Sequence, residues 1–242
     1  DIASRDSYLE KIQTRLNHIV FSSYTALEHY KKFYPKSTME KYVIQFCSVI
    51  DFALPEKRAL EEKYGIDSPY FICSNQFWKH KNHELVFRAL AFLKKQGSLN
   101  FKMIFTGKEE DPRNPEYFGE IKKFVLENQL SDDVSFLGFI SREDQLGLMQ
   151  NAMAVVQPSL FEGWGTVVED AKTLGVQVLC SDIAIHHEQL EDSAYYFDSV
   201  DEKDLAEKMN DFVNHEITEK HHYLAVNERL KESAKAIIHA LT

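Results

Sequence analysis

Residues 153–182 read MAVVQPSLFEGWGTVVEDAKTLGVQVLCSD, and this stretch decides the fold. An apolar run ends at Pro158, a turn with two glycines follows, and an amphipathic pattern begins near Thr166 before a second apolar run over Val176–Cys180. Short, nearly continuous apolar runs are typical of parallel strands that are covered on both faces. The stretch therefore predicts a strand–helix–strand unit of a parallel sheet.

The same alternation extends over the central part of the chain. The strand candidates, which share a short apolar run, are Tyr70–Ser74, Phe101–Thr106, Val134–Leu137, Met153–Gln157, Val176–Cys180 and Ala194–Phe197. Segments with apolar residues at helical spacing separate them. This order predicts an α/β fold, a doubly wound Rossmann-like parallel sheet with right-handed crossovers. Ligands of such sheets bind outside the carboxyl ends of the strands, so we expect the site in the loops that follow these runs.

The two ends of the chain have a different pattern. A polar helix over 7–16, strands at His18–Ser22 and Tyr42–Phe46, and a helix at Thr25–Phe33 make about one and a half βα units, too few for an independent core. Residues 51–69 are interpreted as a linker around a charged helix. We therefore divide the chain into 1–51, the last βα elements of a truncated N-terminal domain, 52–222, the main domain, and 223–242, a helix crossing back toward the first part.

Composition excludes several classes of protein. The formal net charge is −10, from 28 basic and 38 acidic side chains, so the basic surplus of a phosphate-tracking nucleic-acid binder is absent. No run approaches the ~20 apolar residues of a membrane span. Cys73 and Cys180 lie in apolar runs and Cys47 is remote from both, which predicts free thiols and a reducing, cytoplasmic compartment.

The turn before the central helix has the properties of a binding site. Gly163 and Gly165 let the backbone pass close to a ligand and adopt strained dihedral angles, and the N–H groups of a helix that begins at Thr166 favour a phosphate. Glu162 before the turn and Asp170 within the helix can both line one crevice, where carboxylates accept hydrogen bonds from sugar hydroxyls. The same acids are also common as partners of a helix dipole, and the glycines can serve a tight turn only.

At this point the sequence resembles glycosyltransferase family 4, whose members have two facing Rossmann-like domains in the GT-B architecture. The family pattern is Pro-Ser, then Glu-Gly-aromatic-Gly, a second carboxylate after seven intervening residues, and later Ala, Gly and Ser-Asp. The matching positions in this sequence are Pro158, Ser159, Glu162, Gly163, Trp164, Gly165, Asp170, Ala171, Gly175, Ser181 and Asp182. The second carboxylate is usually Glu, so whether Asp170 or the neighbouring Glu169 reaches the ligand stays open.

Further positions match through the same resemblance. The loop SNQFWKHKNH (74–83) is similar to the family's Gly-Arg-Leu-x-x-x-Lys-Gly loop, which implies that Lys81 binds phosphate and that Gln76 stands where Arg is usual. Gly107 fits the next glycine loop, and Gly138 with Phe139 fits the segment beside the nucleobase. Without the resemblance, 79–83 is a solvated helix start and the glycines are turns.

The resemblance implies a function. It implies transfer of a hexose from a nucleoside diphosphate sugar to a hydroxyl of a glycan or lipid-linked acceptor, with retention at the anomeric carbon and without a metal or other cofactor. Lys81 and the N–H groups near Thr166 and Val167 would neutralise the leaving diphosphate, Glu162 would hold the sugar, and Asp170 or Glu169 the ribose. Acceptor binding, and any peripheral contact with a membrane, would belong to the N-terminal domain.

Two other functions stay open. The chain can be a donor-binding fragment that holds the nucleotide sugar without turnover, or a related isomerase or hydrolase of nucleotide sugars. A metal site is not expected, because the string HEITEKH at 215–221 has its histidines six residues apart and therefore not on one helix face. His186 and His187 are interpreted as a helix start.

Overall fold

The computed structural model describes residues 2–214 and 223–241, so the HEITEKH string at 215–221 lies outside the described residues. The chain divides into two compact units. Unit 1 comprises Asp1–Cys47 and Leu224–Thr242, and unit 2 comprises Ser48–Tyr223. The assignment of residues 1–51 to an acceptor domain stays a prediction.

Unit 2 contains the predicted doubly wound sheet. Its strands are β3 (Tyr70–Ser74), β4 (Lys102–Thr106), β5 (Val134–Phe136), β6 (Val155–Gln157), β7 (Val178–Ser181) and β8 (Tyr195–Phe197). They are parallel and lie in the order β5-β4-β3-β6-β7-β8. The order reverses between β3 and β6, the point at which such sheets bind ligands. All six predicted strands are confirmed, with ends shifted by up to two residues.

Helices cover both faces of this sheet. They are α3 (Lys57–Tyr64), α4 (His83–Gln96), α5 (Tyr117–Glu127), α6 (Arg142–Asn151), α7 (Thr166–Leu174), α8 (Ala184–Leu190) and α9 (Glu202–Val213). The buried faces of α4, α5 and α9 contribute to one core cluster, which includes Phe71 and Phe105. Those of α3, α6, α7 and α8 contribute to a second, which includes Ile72 and Val155. Each strand is apolar on both sides because each side faces one of these clusters.

The predicted linker at 51–69 is wrong in one respect, since its helix is part of the core. Leu60 of α3 is 2% exposed and packs in the second cluster. A Cβ on Gly147 of α6 would lie 2.8 Å from Leu60 Cδ1, so the two helices approach closely because Gly147 has no side chain. The charged residues of α3 that dominate the sequence pattern lie on its outer face.

Unit 1 contains α1 (Ile2–Gln13), α2 (Tyr24–Phe33), α10 (Val226–Leu241) and a parallel pair of strands, β1 (His18–Phe21) and β2 (Glu40–Val43). Helix α2 begins where Ser23 Oγ accepts a hydrogen bond from Ala26 N. The predicted strand at Tyr42–Phe46 is misplaced, because pairing with β1 places His18 opposite Glu40. The first helix also begins and ends earlier than 7–16, and the last begins at Val226 rather than Tyr223.

Candidate functional site

A cleft of about 350 Å³ lies at the carboxyl ends of β3 and β4, within unit 2. The loops after β3, β4 and β5 and the first turns of α7 form it, as the sheet topology predicts. The residues that line it are Ser74, Asn75, Gln76, Trp78, Lys81, Thr106, Gly107, Phe139, Ile140, Arg142, Gln145, Thr166, Val167 and Asp170. Arg142 and Lys81 are the cations of this set.

The loop after β3 brings Lys81 to the cleft. Residues Lys79–Lys81 form a short 3-10 turn, and α4 begins only at His83. Between them, Asn82 has φ 57°, a left-handed conformation that Gly and Asn adopt more readily than other residues. The family pattern has Gly at this position. Asn82 Nδ2 also donates to the carbonyls of Pro158 and Ser199, so its side chain ties the loop to the segment after β6.

Lys81 and Glu162 form a nearly buried ion pair. Lys81 Nζ lies 2.5 Å from Glu162 Oε1, and the side chains are 15% and 9% exposed. The same oxygen accepts hydrogen bonds from Gln157 Nε2 at 2.8 Å and Ser159 Oγ at 2.7 Å. Asn75 Nδ2 donates to Gln157 Oε1 at 2.8 Å and keeps that amide oriented. Within the described residues, all three donors to Glu162 contact Oε1, and Oε2 accepts no hydrogen bond.

The start of α7 is left open by its cap residue. Gly165 has no side chain to cap the helix, so the N–H groups of Thr166 and Val167 lack a side-chain cap. Gln189 Oε1 accepts from Gly165 N at 3.0 Å, and Gln189 Nε2 donates to Gly165 O at 3.2 Å. The expectation of strained dihedral angles fails at Gly165, whose φ is −79°. A glycine is favoured there by space, because a Cβ would lie 3.1 Å from Gln189 Oε1.

The two adjacent carboxylates of α7 point to different surroundings. Asp170 lines the cleft, and Arg142 holds both of its oxygens: Nη1 lies 2.7 Å from Oδ2, and Nη2 contacts Oδ1. Ser48 Oγ donates to Oδ1 at 2.5 Å. Glu169 does not line the cleft but lies against Lys172 and Gln189, each at 3.1 Å. Asp170 rather than Glu169 is therefore the carboxylate that the fold brings to the cleft.

Glycines shape the opposite wall. Gly107 has φ 127°, and a Cβ there would lie 2.4 Å from the carbonyl oxygen of Asn75, so no other residue fits without moving backbone. Gly107 N donates to Gly138 O at 2.8 Å, which joins the loops after β4 and β5. Gly138 itself has φ 63°. Phe139 follows and is 79% exposed at the cleft.

Of the residues predicted from sequence, seven line the cleft: Gln76, Lys81, Gly107, Phe139, Thr166, Val167 and Asp170. Six are outside its lining: Gly138, Glu162, Gly163, Trp164, Gly165 and Glu169. Sequence reasoning missed Arg142, although Ser141 caps α6 and places Arg142 at the end of a loop already singled out. It also missed that Gln157 and Ser159 donate hydrogen bonds to Glu162, because only the three-dimensional structure shows these contacts.

Three histidines are buried or half-buried around this site. His186 is fully buried at the start of α8, its Nδ1 lies 2.8 Å from Ser181 O, and burial lowers its pKa. Burial lowers the pKa of His83 to about 3, with the charge of Lys81 as a smaller cause. Burial and Lys81 also lower the pKa of His80. In residues 2–214 and 223–241, no group of three or more His, Cys, Asp or Glu side chains is placed to hold a metal ion.

The cysteines match their prediction. Cys73 and Cys180 are buried in β3 and β7, and these two residues and Cys47 are free thiols. Burial raises the pKa of Cys73 to about 12.

None of the described helices is long and apolar enough to cross a membrane.

A doubly wound sheet with a lysine-bearing loop and an uncapped helix at its carboxyl edge is an arrangement that α/β domains use to bind anions. Residues 56–232 match the family described as "Glycosyl transferases group 1". The chain belongs to this family. The prediction of a GT-B glycosyltransferase is thereby confirmed, while the assignment to family 4 stays a prediction.

Individual relatives agree with this assignment. The chain is 28% identical over 208 residues to the O-antigen chain mannosyltransferase RfbU of Salmonella typhimurium, which covers 82% of this chain and 54% of RfbU. It is 32% identical over 135 residues to the putative glycosyltransferase EpsF of Bacillus subtilis, covering 54% of this chain and 33% of EpsF. The chain thus spans about half the length of RfbU and about a third of the length of EpsF.

Solved structures share the fold. A glycosyltransferase from Rickettsia africae superposes with a TM-score of 0.77 at 17% identity, covering 96% of this chain and 67% of that one. Anabaena Alr3699/HepE, solved in complex with UDP and glucose, gives a TM-score of 0.78 at 15% identity, covering 97% and 66%. At these identities the likeness extends to the fold, which is that of GT-B glycosyltransferases.

Proposed function

We propose that this chain forms the nucleotide-sugar-binding part of a glycosyltransferase that transfers a hexose from a nucleoside diphosphate sugar to an acceptor hydroxyl. The observation that carries the proposal is the convergence of Lys81 and the uncapped N-terminus of α7 on one cleft. A cation and free N–H groups together favour a diphosphate. Family membership and the mannosyltransferase relatives support a sugar as the group transferred.

In the proposed reaction, the bond between the anomeric carbon and the diphosphate breaks, and a bond from the acceptor oxygen to that carbon forms. The nucleoside diphosphate leaves with the electron pair of the broken bond, and the acceptor proton is lost to it. Lys81 and the N–H groups of Thr166 and Val167 stabilise the charge that develops on the diphosphate. Glu162 Oε2 accepts no hydrogen bond within the described part of the chain, and we propose that it accepts one from a sugar hydroxyl.

The finer features of the proposal are retention at the anomeric carbon and independence from metal. Retention is supported by the spacing of Glu162 and Asp170, which is similar to that of family 4. Asp170 lines the cleft and is proposed to face the ribose. A glycan or lipid-linked acceptor, and any contact with a membrane, are proposed to involve an N-terminal domain to which residues 1–51 belong. Free thiols at Cys47, Cys73 and Cys180 support a cytoplasmic location, which fractionation of cells would test.

A calorimetric titration with UDP, GDP and ADP, followed by their sugars, tests the donor site. Lys81→Ala should weaken binding of the nucleoside diphosphate by roughly 1.5–3 kcal/mol, the range for a charge-assisted hydrogen bond. Lys63→Ala is the matched control, since Lys63 also pairs with a carboxylate but belongs to α3 and does not line the cleft. Equal affinity of the two variants would remove Lys81 from the site.

A second candidate, left open by the sequence, is binding of the nucleotide sugar without turnover. Product analysis distinguishes the alternatives. A transferase yields a glycosylated acceptor with the original anomeric configuration. A hydrolase yields free sugar, an isomerase yields an altered nucleotide sugar, and a binding module leaves the donor unchanged.

A further inference from the structure

Arg142 has hydrogen-bonding capacity that the protein itself does not use. A guanidinium carries five N–H donors. Here Nη1 donates to Asp170 Oδ2 and, at 3.3 Å, to Gln145 Oε1, and Nη2 donates to Asp170 Oδ1. The Nε–H group and the second hydrogen of Nη2 have no partner in the described residues. These two donors lie side by side on one edge of the guanidinium, and the side chain is 43% exposed at the cleft.

The pair with Asp170 fixes where this edge can act. Asp170 follows Thr166 by four residues, which corresponds to a rise of about 6 Å along α7. The proposed function places the ribose at Asp170, so an arginine that pairs with Asp170 lies beside the nucleoside part of a bound donor. The inference rests on the proposed function for this orientation.

The carboxylate of Asp170 has little capacity left for the nucleoside. A carboxylate offers about four lone-pair sites, and Arg142 with Ser48 occupies three of them. One hydroxyl of a ribose can still donate to Oδ2. Discrimination between bases therefore depends on the guanidinium, which presents only donors.

We propose that Arg142 reads the nucleobase of the donor and selects guanine, so that the substrate is a guanosine diphosphate sugar. Guanine carries two adjacent acceptors, O6 and N7, which match the two parallel N–H groups of an arginine edge. Adenine places an amino donor beside N7, and that donor faces the guanidinium unfavourably. The carbonyls of uracil flank an N–H donor and cannot accept both bonds on one edge.

A titration of the unaltered chain with GDP, UDP, ADP, CDP and 7-deaza-GDP tests the proposal. GDP should bind at least about tenfold more tightly than UDP or ADP, the discrimination expected of one bidentate arginine contact. The 7-deaza compound lacks the N7 acceptor and should lose several-fold of the affinity of GDP. Equal affinities for all five compounds, a preference for another base, or equal binding of GDP and 7-deaza-GDP would overturn the proposal. Failure of every compound to bind would instead contradict the proposed function.

Variants separate base reading from a merely structural role. Arg142→Gln should lower the affinity for GDP about tenfold while changing that for UDP much less, and it should abolish the difference between GDP and 7-deaza-GDP. Arg142→Lys keeps the charge beside Asp170 but lacks the planar edge, and should show the same loss of discrimination. Arg88→Gln, which removes an exposed arginine of α4, serves as the control and should retain the preference. If Arg142→Gln and Arg142→Lys weakened all nucleotides equally, Arg142 would only position α7 and the proposal would be wrong.

Discussion

The two cations that line the cleft, Lys81 at one end and Arg142 at the other, each form an ion pair, and the two pairs are built differently. At one end Lys81 pairs with Glu162, and both side chains are nearly buried. Three donors converge on one oxygen of Glu162, and the other oxygen accepts no hydrogen bond within the described part of the chain. At the other end Arg142 pairs with Asp170. There the carboxylate is buried with both oxygens engaged, and the cation is 43% exposed.

This difference determines what each end can offer a ligand. Glu162 can accept a new hydrogen bond without losing an existing one, so its end suits a hydroxyl donor such as a sugar. Asp170 is nearly saturated, and its end instead presents the unused N–H groups of Arg142, which suit acceptor atoms. The same chemistry of cation and carboxylate therefore yields an acceptor surface at one end and a donor surface at the other.

The largest expected effect follows from the burial of the first pair. Lys81→Met leaves Glu162 with only Gln157 and Ser159, and should lower the free energy of unfolding by about 3 kcal/mol, because an uncompensated charge stays nearly buried. Lys63→Met removes a lysine that is 58% exposed and should cost less than about 1 kcal/mol. Urea unfolding of both variants measures the difference. Equal losses of unfolding free energy would mean that the burial of Glu162 adds no cost to the loss of its lysine partner.

The pH dependence of stability should be a property of the Lys81 end. His83, two residues after Lys81, is stacked on Phe77 with ring centroids 4.3 Å apart, and its pKa is lowered to about 3 by burial and by Lys81. Between this pKa and the ordinary value of about 6.5, the unfolded chain binds more protons than the folded chain. The free energy of unfolding should therefore be highest above pH 6.5 and fall by about 2 kcal/mol on acidification to pH 5.

Denaturant unfolding between pH 5 and pH 8 measures this dependence. His83→Phe keeps the aromatic stack without a titrating group and should reduce the slope, while His186, whose pKa burial also lowers, retains part of it. If His83→Phe has the same slope as the unaltered protein, His83 is not the group responsible.

The ligand preferences of the two carboxylates provide a smaller effect. Glu162→Gln should spare binding of a bare nucleoside diphosphate but weaken the added affinity of the sugar nucleotide by about 1.5 kcal/mol. Asp170→Asn should weaken both ligands about equally, because both contain the nucleoside. Glu169→Gln is the control, since Glu169 is held by Lys172 and Gln189 away from the cleft. Calorimetry that finds Glu169→Gln harmful and Asp170→Asn neutral would show that the register of the pair is wrong by one residue.

The smallest expected effect is that of a chelator. With Lys81 and the N–H groups of α7 assigned to the diphosphate, EDTA should leave the dissociation constant of the nucleoside diphosphate nearly unchanged. A titration with and without EDTA measures this. A large loss of affinity that manganese or magnesium restores would contradict metal independence. It would show that a bound ion neutralises part of the diphosphate charge assigned to Lys81.

Much of the fold could be predicted because its signals are local. Continuous apolar runs gave all six strands of unit 2, and the glycine turn with its amphipathic helix gave the start of α7 at Thr166. The errors occurred where contacts with residues distant in the sequence determine the position or burial of an element. The position of β2 depends on its pairing with β1, and the role of α3 depends on Leu60 packing near Gly147.

The sequence by itself determined the α/β class, the edge of the sheet that carries the cleft, and the presence there of Lys81, Glu162 and Asp170. Those features depend on periodicity and short motifs, which are properties of neighbouring residues. Only the tertiary structure decided that Asp170 rather than Glu169 lines the cleft, that Glu162 is bonded to Lys81, and that Arg142 covers Asp170. Lys81 and Glu162 are separated by 81 positions and Arg142 and Asp170 by 28, and here the parallel strands bring their loops to one edge of the sheet.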